Sequence, residues 1–245
     1  FWFNFWCRQA KKETYFHILP HDKNFPFQRN HVIKVKHQKD NIFLLRDGKN
    51  ERYEYMATKN LVFAKYQYQV EFAEMVISYI KSTQLIINYV SDKNKTINEK
   101  TILECHKALF GHIYDWAGEY RNHPVVVGDK ERPTMEHNEV KKSLKACLRG
   151  CTKKELSKIN SKAELVHKLA TLHAEIAWIH PFQDGNGRSI RLFLQIVATT
   201  MGYEFDMEKL DGDVRNKRAY HYAVRRAIHD SNRNLIALIS RAIKE

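Results

Sequence analysis

The chain has 245 residues, 43% of them hydrophobic and 12% aromatic, and a formal net charge of +13. This composition excludes an intrinsically disordered chain and suits one sizeable core with an appended subdomain. No apolar run reaches the length of a membrane span. The positive charge fits equally a surface for nucleic acid or an acidic partner and a plain solvated surface.

Four cysteines are scattered along the chain. A chain of this size does not need disulfides to stabilise its core, so we expect reduced thiols and a cytoplasmic location. Cys147 and Cys151 lie one helical turn apart, but two thiols without a second pair do not indicate a zinc site. The aromatic opening at 1–6 precedes basic residues, which is the wrong order for a secretory signal.

Residues 1–60 differ from the rest because they mix aromatics, basic residues and turn formers. Partly alternating stretches lie at 31–36 and 41–45, a glycine turn follows at 47–48, and Arg52-Tyr53-Glu54-Tyr55 comes after it. This pattern predicts two short strands around the glycine turn. We therefore predict a small β-containing N-terminal extension over 1–60 and a mainly α-helical domain over 61–245.

Two helices are predicted in the first half of that domain. Apolar residues recur at helical spacing over 61–90 and indicate one long helix with a break near Ser82. Thr96 with Glu99 has the pattern of a capping box, which predicts that the next helix begins there and runs to Phe110.

An aromatic stretch with glycines follows, and then a β-branched run. The aromatic stretch reads Leu109-Phe110-Gly111-His112-Ile113-Tyr114-Asp115-Trp116-Ala117-Gly118-Glu119-Tyr120-Arg121. We expect Tyr114 and Trp116 to anchor the core and Gly118 to permit a chain reversal. Residues 124–133 predict a β-hairpin with a Gly-Asp turn.

The next two predicted helices lead to the most informative segment. An amphipathic helix spans 136–148, and Ser161 with Glu164 forms a second capping box. Apolar residues then step by three and four up to Ile179. This pattern predicts a core helix that ends at His180, where the helix dipole favours a charged imidazole.

The densest group of chemically useful residues lies directly after this core helix. It reads His180-Pro181-Phe182-Gln183-Asp184-Gly185-Asn186-Gly187-Arg188-Ser189-Ile190-Arg191. The glycines allow a tight turn, and an apolar run at 190–201 predicts a helix whose N-terminus forms an anion site. Arg188 and Arg191 would share its first turn and suit phosphate oxygens. Asp184 suits Mg²⁺, and His180 can accept a proton from a hydroxyl.

The domain core is predicted to end at this last helix and to cover 96–201. Residues 202–213 are predicted to form a connector. Apolar residues at helical spacing then predict helical structure over 219–244, and the C-terminal helices are predicted to cover 213–245.

The segment that begins at His180 resembles the motif of the Fic family, His-x-Phe-x-Asp/Glu-Gly-Asn-Gly-Arg-x-x-Arg, at every defined position. The stretch 109–121 is similar to a Phe-Gly and Tyr/Trp-Ala-Gly-x-x-Arg segment that the family carries upstream. The resemblance covers about residues 61–240. It implies a mainly α Fic-type helical bundle with a short β-hairpin flap at 124–133.

The resemblance implies a nucleotidyltransferase that moves AMP from ATP to a Ser, Thr or Tyr hydroxyl of a target protein and releases pyrophosphate. It makes His180 the general base and Asp184 the ligand of Mg²⁺ against the α- and β-phosphates. Phe182 should point inward and fix the loop. The nucleotide-binding residues that it implies are Gly185, Asn186 and Gly187 around the phosphates, and Arg188 and Arg191 on the β- and γ-phosphates.

The resemblance also implies partners. The flap of Fic proteins receives the target protein as an added strand, so a target is expected on 124–133. Many members are inhibited by a helix carrying Ser/Thr-x-x-x-Glu-Gly/Asn, whose glutamate pairs with the second motif arginine, here Arg191. Thr171 to Glu175 and Thr200 to Glu204 match only its first half and are rejected. An antitoxin that supplies the glutamate in trans is therefore one hypothesis, beside an inhibitory helix upstream of Phe1 and an unregulated enzyme.

Three roles stay open: a bacterial toxin that acts in its own cell, an effector delivered into another cell, and a basic module that binds nucleic acid or protein without catalysis. The intact motif argues against the third role. The unchanged Gly-Asn-Gly core favours AMP transfer over the use of another nucleotide donor.

Overall fold

The computed structural model describes residues 59–92, 94–127 and 132–244, together with the backbone of four strands nearer the N-terminus. Helices account for most of this chain. Within these residues, no helix combines the length and the apolar character needed to cross a membrane.

The chain forms two compact units, one of Phe1–Ile77 with His112–Asp115 and one of Ser78–Gly111 with Trp116–Glu245. The first unit contains an antiparallel sheet with its strands in sequence order: β1 (Phe5–Ala10), β2 (Glu13–Ile18), β3 (Val32–Gln38) and β4 (Asn41–Arg46). The predicted β-containing extension is confirmed. β3 and β4 coincide with the two alternating stretches, whereas β1 and β2 were not predicted.

The glycine turn predicted at 47–48 and the stretch 52–55 after it lie outside the described residues. The domain boundary at 60/61 stays a prediction.

The rest of the described chain is helical apart from two short antiparallel strand pairs, β5 with β6 and β7 with β8. In chain order, its elements are α1 (Gln67–Ser91), α2 (Glu99–Phe110), β5 (Val126–Val127), β6 (Arg132–Pro133), α3 (Val140–Cys147), a 3-10 turn (Leu148–Gly150), α4 (Lys153–Leu156), α5 (Lys162–Ile179), α6 (Asn186–Thr200), β7 (Glu204–Phe205), α7 (Glu208–Asp211), α8 (Val214–His229), α9 (Arg233–Ala242) and β8 (Ile243–Lys244). The predicted hairpin therefore forms, although residues 128–131 lie outside the description.

Helix α1 begins later than predicted and is unbroken. The side-chain carbonyl of Gln69 accepts the N–H groups of Lys65 and Tyr66, both at 2.9 Å, so the chain turns before the helix starts. The Ser82 hydroxyl donates to the carbonyl of Tyr79 at 3.2 Å. Because this hydroxyl is satisfied inside the helix, it does not interrupt it.

The cap of α2 lies two residues after the predicted one. The side-chain oxygen of Asn98 accepts the N–H of Lys100 at 2.9 Å, and the Thr101 hydroxyl accepts the N–H of Asn98 at 3.0 Å. Thr96, the predicted cap, instead accepts the Asn98 side-chain amide at 3.1 Å. Asparagine is at least as good an N-cap as threonine, so the later residue defines the helix start.

The predicted cap of α5 is confirmed, because the Ser161 hydroxyl accepts the N–H of Glu164 at 3.2 Å. The Glu164 carboxylate accepts the N–H of Asn160 at 2.9 Å, one residue before the position expected of a capping box.

Helix α6 is the centre of the second unit, and it packs against α2 and α5. Its buried residues are Asn186, Ser189, Ile190, Leu192, Phe193, Leu194, Ile196, Val197 and Ala198. Helix α5 also packs against α3, α8 and α9. The α5–α6 connection is therefore anchored on both sides in the core.

The C-terminal helical part contains two helices, α8 and α9, separated by a turn whose position was not predicted. Helix α8 ends at His229, and the N–H groups of Asp230 and Ser231 both donate to the carbonyl of Arg226, at 2.8 and 2.9 Å. Asp, Ser and Asn at 230–232 are turn formers. The apolar positions keep helical spacing across this turn, which is why periodicity alone missed it.

Two histidines are buried among apolar side chains of this core. His106 on α2 and His173 on α5 are 0% and 1% exposed. Burial lowers the pKa of His106 to about 4 and that of His173 to about 3. Both imidazoles are therefore neutral at physiological pH.

We predict that stability falls in acid before most carboxylates titrate. The unfolded chain takes up these two protons near pH 6.5, whereas the folded chain does not. The free energy of unfolding should therefore fall by about 1.4 kcal/mol per pH unit for each histidine below about pH 6. Urea unfolding between pH 7 and 5 measures this slope. His106→Gln should reduce it by the contribution of one histidine, and His167→Gln, at an exposed position of α5, should not. An equal slope in all three proteins would contradict the assignment.

Candidate active site

The motif loop joins α5 to α6 through two left-handed residues. His180 ends α5 with φ of 49°, and its N–H donates to the carbonyl of Ile176 at 2.9 Å. Gly185 precedes α6 with φ of 72°. A left-handed conformation is uncommon for a residue other than glycine, and such residues concentrate at functional sites. The C-terminus of α5 and the N-terminus of α6 therefore meet at one short loop.

A side-chain clasp closes this loop. Asn186 is 4% exposed, its amide oxygen accepts the N–H of Phe182 at 2.9 Å, and its amide nitrogen donates to the carbonyl of Phe182 at 2.7 Å. Because the amide is engaged at both ends, the side chain fixes the loop. The phosphate contact that the resemblance implies for Asn186 stays a prediction.

Phe182 points into the core, as predicted. It is 0% exposed and stacks on the imidazole of His106, with ring centroids 3.8 Å apart and an interplanar angle of 9°. The side chain carries no chemistry, and it anchors the loop to α2.

His106 is a supporting residue that the sequence analysis missed. Its Nδ1 accepts the N–H of Gly118 at 2.7 Å, so the proton of the neutral ring lies on Nε2, which donates to the carbonyl of Asp184 at 3.2 Å. The ring thereby links the aromatic stretch to the motif loop. The signal in the sequence that could have identified His106 is a polar side chain among the apolar positions of α2.

The start of α6 has the geometry expected of the predicted anion site. The first N–H groups of a helix have no carbonyl four residues earlier, so those of Asn186 and Gly187 point out of the helix end. A Cβ on Gly185 would lie 2.4 Å from the Phe110 ring, whereas one on Gly187 would meet only Arg191, at 3.5 Å. Packing therefore requires the first glycine. The second leaves the approach to the helix end open.

The two arginines flank this helix end. Helix α6 begins at Asn186, four residues before the predicted start, so Arg188 lies on the first turn and Arg191 on the second. The Arg188 guanidinium carbon is 4.3 Å from the centre of the Phe110 ring, and that of Arg191 is 5.4 Å from the centre of the Tyr220 ring. Each cation therefore lies over an aromatic face that supports it.

Tyr220 and His173 form a second layer behind Arg191, and neither was predicted. The Tyr220 hydroxyl hydrogen-bonds to Nε2 of His173, and both side chains are buried. Because His173 lies on α5, the face that carries Arg191 is fixed to the same helix that ends at His180.

His180 is the base candidate. Its Nδ1 lies 3.3 Å from the carbonyl of Ala177, which can only accept, so Nδ1 carries the proton and Nε2 is left as an acceptor. Burial lowers the pKa of His180, and the positive charge of Arg121 lowers it further. Burial therefore opposes the preference of the helix dipole for a charged imidazole.

Asp184 fits a cation that is shared with a ligand. The side chain is exposed, and one carboxylate oxygen accepts the N–H of Gly185 at 2.6 Å. Nowhere in the described chain do three or more His, Cys, Asp or Glu residues form a metal-binding group. Mg²⁺ often takes one or two protein carboxylates and completes its shell with phosphates and water, so a single exposed Asp suits it.

Known proteins are similar to the part of the chain that contains the motif loop. The sequence model of the Fic/DOC family matches residues 96–198. This part of the chain, which contains the motif loop, is therefore similar to the Fic/DOC family.

Curated relatives carry the same domain. The protein adenylyltransferase VbhT of Bartonella schoenbuchensis is 27% identical over 169 residues, which cover 67% of this chain and 34% of that protein. The probable protein adenylyltransferase Fic of Escherichia coli is 28% identical over 112 residues, which cover 46% of this chain and 55% of that protein. The chain thus spans between a third and just over half the length of these relatives.

Solved structures share the fold. The Fic domain of a VirB-translocated Bep effector from Bartonella quintana, with bound ADP, superposes with a TM-score of 0.62 at 20% identity and covers 78% of this chain and 93% of that one. The BepC effector of Bartonella tribocorum, with bound AMPPNP, gives a TM-score of 0.57 at 18% identity and covers 78% and 95%. The predicted mainly α Fic-type fold is confirmed.

We predict opposite effects of alanine at the two loop glycines. Gly187→Ala should leave stability unchanged or raise it by up to about 1 kcal/mol, because alanine favours a helix, yet weaken the binding of AMPPNP. Gly185→Ala should lower stability by about 1–2 kcal/mol or more, because of its left-handed backbone and the clash with Phe110. Urea unfolding and calorimetric titration measure both effects. Full nucleotide affinity in Gly187→Ala would contradict an anion site at this helix end.

Proposed function

We propose that the protein is an adenylyltransferase that moves AMP from ATP to a Ser, Thr or Tyr hydroxyl of a target protein. One observation carries the proposal: a single loop holds a neutral base, His180, at one end and an open helix N-terminus with two arginines at the other. The relatives named protein adenylyltransferase support it. The structural neighbours with bound ADP and AMPPNP support a nucleotide at this site.

The proposed reaction needs one proton transfer and one displacement. Nε2 of His180 takes the proton of the acceptor hydroxyl. The oxygen then forms a bond to the α-phosphorus, and the bond between that phosphorus and the α–β bridging oxygen breaks. The electron pair leaves with pyrophosphate. Transfers of this type depend on positioning and charge stabilisation more than on covalent help from the protein.

The phosphates are held by charge and by N–H groups. The N–H groups of Asn186 and Gly187 bind phosphate oxygens at the positive end of α6. Arg188 and Arg191 stabilise the charge that develops on the leaving pyrophosphate. Mg²⁺ at Asp184 supplies further neutralisation of the α- and β-phosphates when bound.

The acceptor is proposed to dock on the hairpin of β5 and β6. Val126 and Val127 are 59% and 42% exposed, and a two-stranded hairpin leaves an edge to which an extended segment can pair. Recognition through main-chain hydrogen bonds selects an extended segment more than a particular sequence.

We predict that the protein labels a target from α-labelled but not from γ-labelled ATP. The test uses Mg²⁺, bacterial lysate and the two labelled nucleotides. His180→Ala should lose the label while binding AMPPNP with unchanged affinity, because the base does not contact the phosphates. Label from γ-labelled ATP would indicate a kinase, and label that persists in His180→Ala would remove His180 from the reaction.

We also predict an acid limit of activity that lies below the ordinary histidine pKa. The base acts in its neutral form, and burial keeps that form populated as the pH falls. The rate of transfer should therefore stay constant from pH 8 to about pH 6.5 and decline only below it. The pH profile of kcat/KM measures this limb. A decline that begins above pH 7 would contradict a His180 held neutral by burial.

A second candidate function is favoured by the composition of α8. Its 16 residues contain five arginines and lysines and no acidic residue, and Arg215, Lys217, Arg218 and Arg225 are exposed. A binding module for nucleic acid would use this face and would need no catalysis. It would bind DNA with a steep salt dependence and consume no ATP.

We further propose that the protein is a bacterial toxin or effector that is inhibited in trans by a glutamate of a small antitoxin, which pairs with Arg191. Co-expression with small proteins that are encoded beside this protein tests the proposal. Restored growth that depends on one glutamate of such a partner would support it. AMP transfer that stays unchanged with each of these small proteins would contradict it.

A further inference from the structure

One buried guanidinium contacts both the base segment and the hairpin. Arg121 is 4% exposed. Its Nε donates to the carbonyl of His180 at 2.7 Å, and one Nη2 hydrogen is directed to the carbonyl of Ile179 at 3.4 Å. Its backbone N–H donates to the carbonyl of Pro181 at 2.9 Å. Three consecutive carbonyls around the base are thus held by this one residue.

The same guanidinium holds both ends of the hairpin. Nη1 donates to the carbonyl of His123 at 2.9 Å, and Nη2 donates to that of Met135. These two residues lie directly before and after the segment 124–134. The N–H of Met135 also donates to the carbonyl of Trp178, at 3.3 Å, so the hairpin end is tied to the last turn of α5 as well.

An arginine suits this position better than a lysine would. All acceptors of Arg121 are backbone carbonyls, and two of them belong to the C-terminal end of α5, where the helix dipole stabilises a cation. The planar guanidinium has five N–H groups in fixed directions, which suits several carbonyls at once. A lysine would supply the same charge from one flexible point and could not hold the hairpin and the base segment together.

We propose that Arg121 is a positioning residue that fixes the distance between the acceptor-docking hairpin and the general base His180. This inference rests on the proposed function, because it assumes that the acceptor lies along β5 and β6. A segment paired to the hairpin presents its hydroxyl at a position set by residues 123 and 135, and the same guanidinium sets the position of the imidazole. Arg121 itself touches neither substrate.

The test compares Arg121→Lys with Arg149→Lys, a matched change at an exposed arginine after α3. Arg121→Lys should lower AMP transfer to the target by about 10–100-fold, because small misplacements of reacting groups have large effects on rate. AMPPNP affinity should stay unchanged, because the anion site at α6 does not involve Arg121. Arg149→Lys should change neither quantity. Unchanged transfer in Arg121→Lys, or an equal loss of transfer and nucleotide affinity, would overturn the proposal.

Two further measurements do not depend on activity. Hydrogen exchange at the Met135 N–H should accelerate in Arg121→Lys, while the amides of α6 keep their protection.

In an NMR titration, Arg121→Lys should keep the His180 pKa, because the charge remains, whereas Arg121→Met should raise it. If wild-type protein transfers no AMP, the proposed function fails, and these measurements still decide whether Arg121 joins the two segments. Unchanged exchange at Met135 would overturn the link itself.

Discussion

The site depends on the closure of the α5–α6 loop by the amide of Asn186 on the backbone of Phe182, at 2.9 and 2.7 Å. The clasp forces the chain to leave one helix and enter the next within six residues. It thereby sets the distance between the base at the end of α5 and the anion site at the start of α6. His106 completes the closure, because it stacks on Phe182 and holds the carbonyl of Asp184. Without these contacts, the two helix ends would stay in the core, but the groups between them would lose their geometry.

Several features of this loop oppose stability and indicate function. Two arginines lie near the positive end of α6, where a helix favours acidic residues. Arg188 lies over the Phe110 ring and Arg191 over the Tyr220 ring. Helix α6 itself contains no carboxylate. Gly187 lies within a helix although packing leaves room for a side chain there. Selection for folding alone would disfavour the two arginines and the glycine at these positions. The proposed anionic ligand accounts for all three residues.

The motif segment and most helices could be recognised from the sequence alone, because both leave local signals. The motif from His180 to Arg191 is contiguous, and the apolar spacing that ends at Ile179 marks α5 directly. The supporting layer was missed because its contacts join distant parts of the chain. His106 meets Asp184 across 78 positions, Arg121 meets His180 across 59, and His173 meets Tyr220 across 47. The predicted helix ends differ from the observed ones where polar residues set them. This is the case at Gln69 before α1 and at Asp230 between α8 and α9. The apolar pattern does not record such side-chain hydrogen bonds.

A crystal structure with a non-hydrolysable ATP analogue and Mg²⁺ would test the account most directly. The account predicts phosphate oxygens on the N–H groups of Asn186 and Gly187, guanidinium contacts from Arg188 and Arg191, and an α-phosphorus that faces Nε2 of His180. The Asn186–Phe182 clasp should stay closed. A triphosphate bound elsewhere, or an α-phosphorus turned away from His180, would contradict the assignment of this loop as the site of AMP transfer.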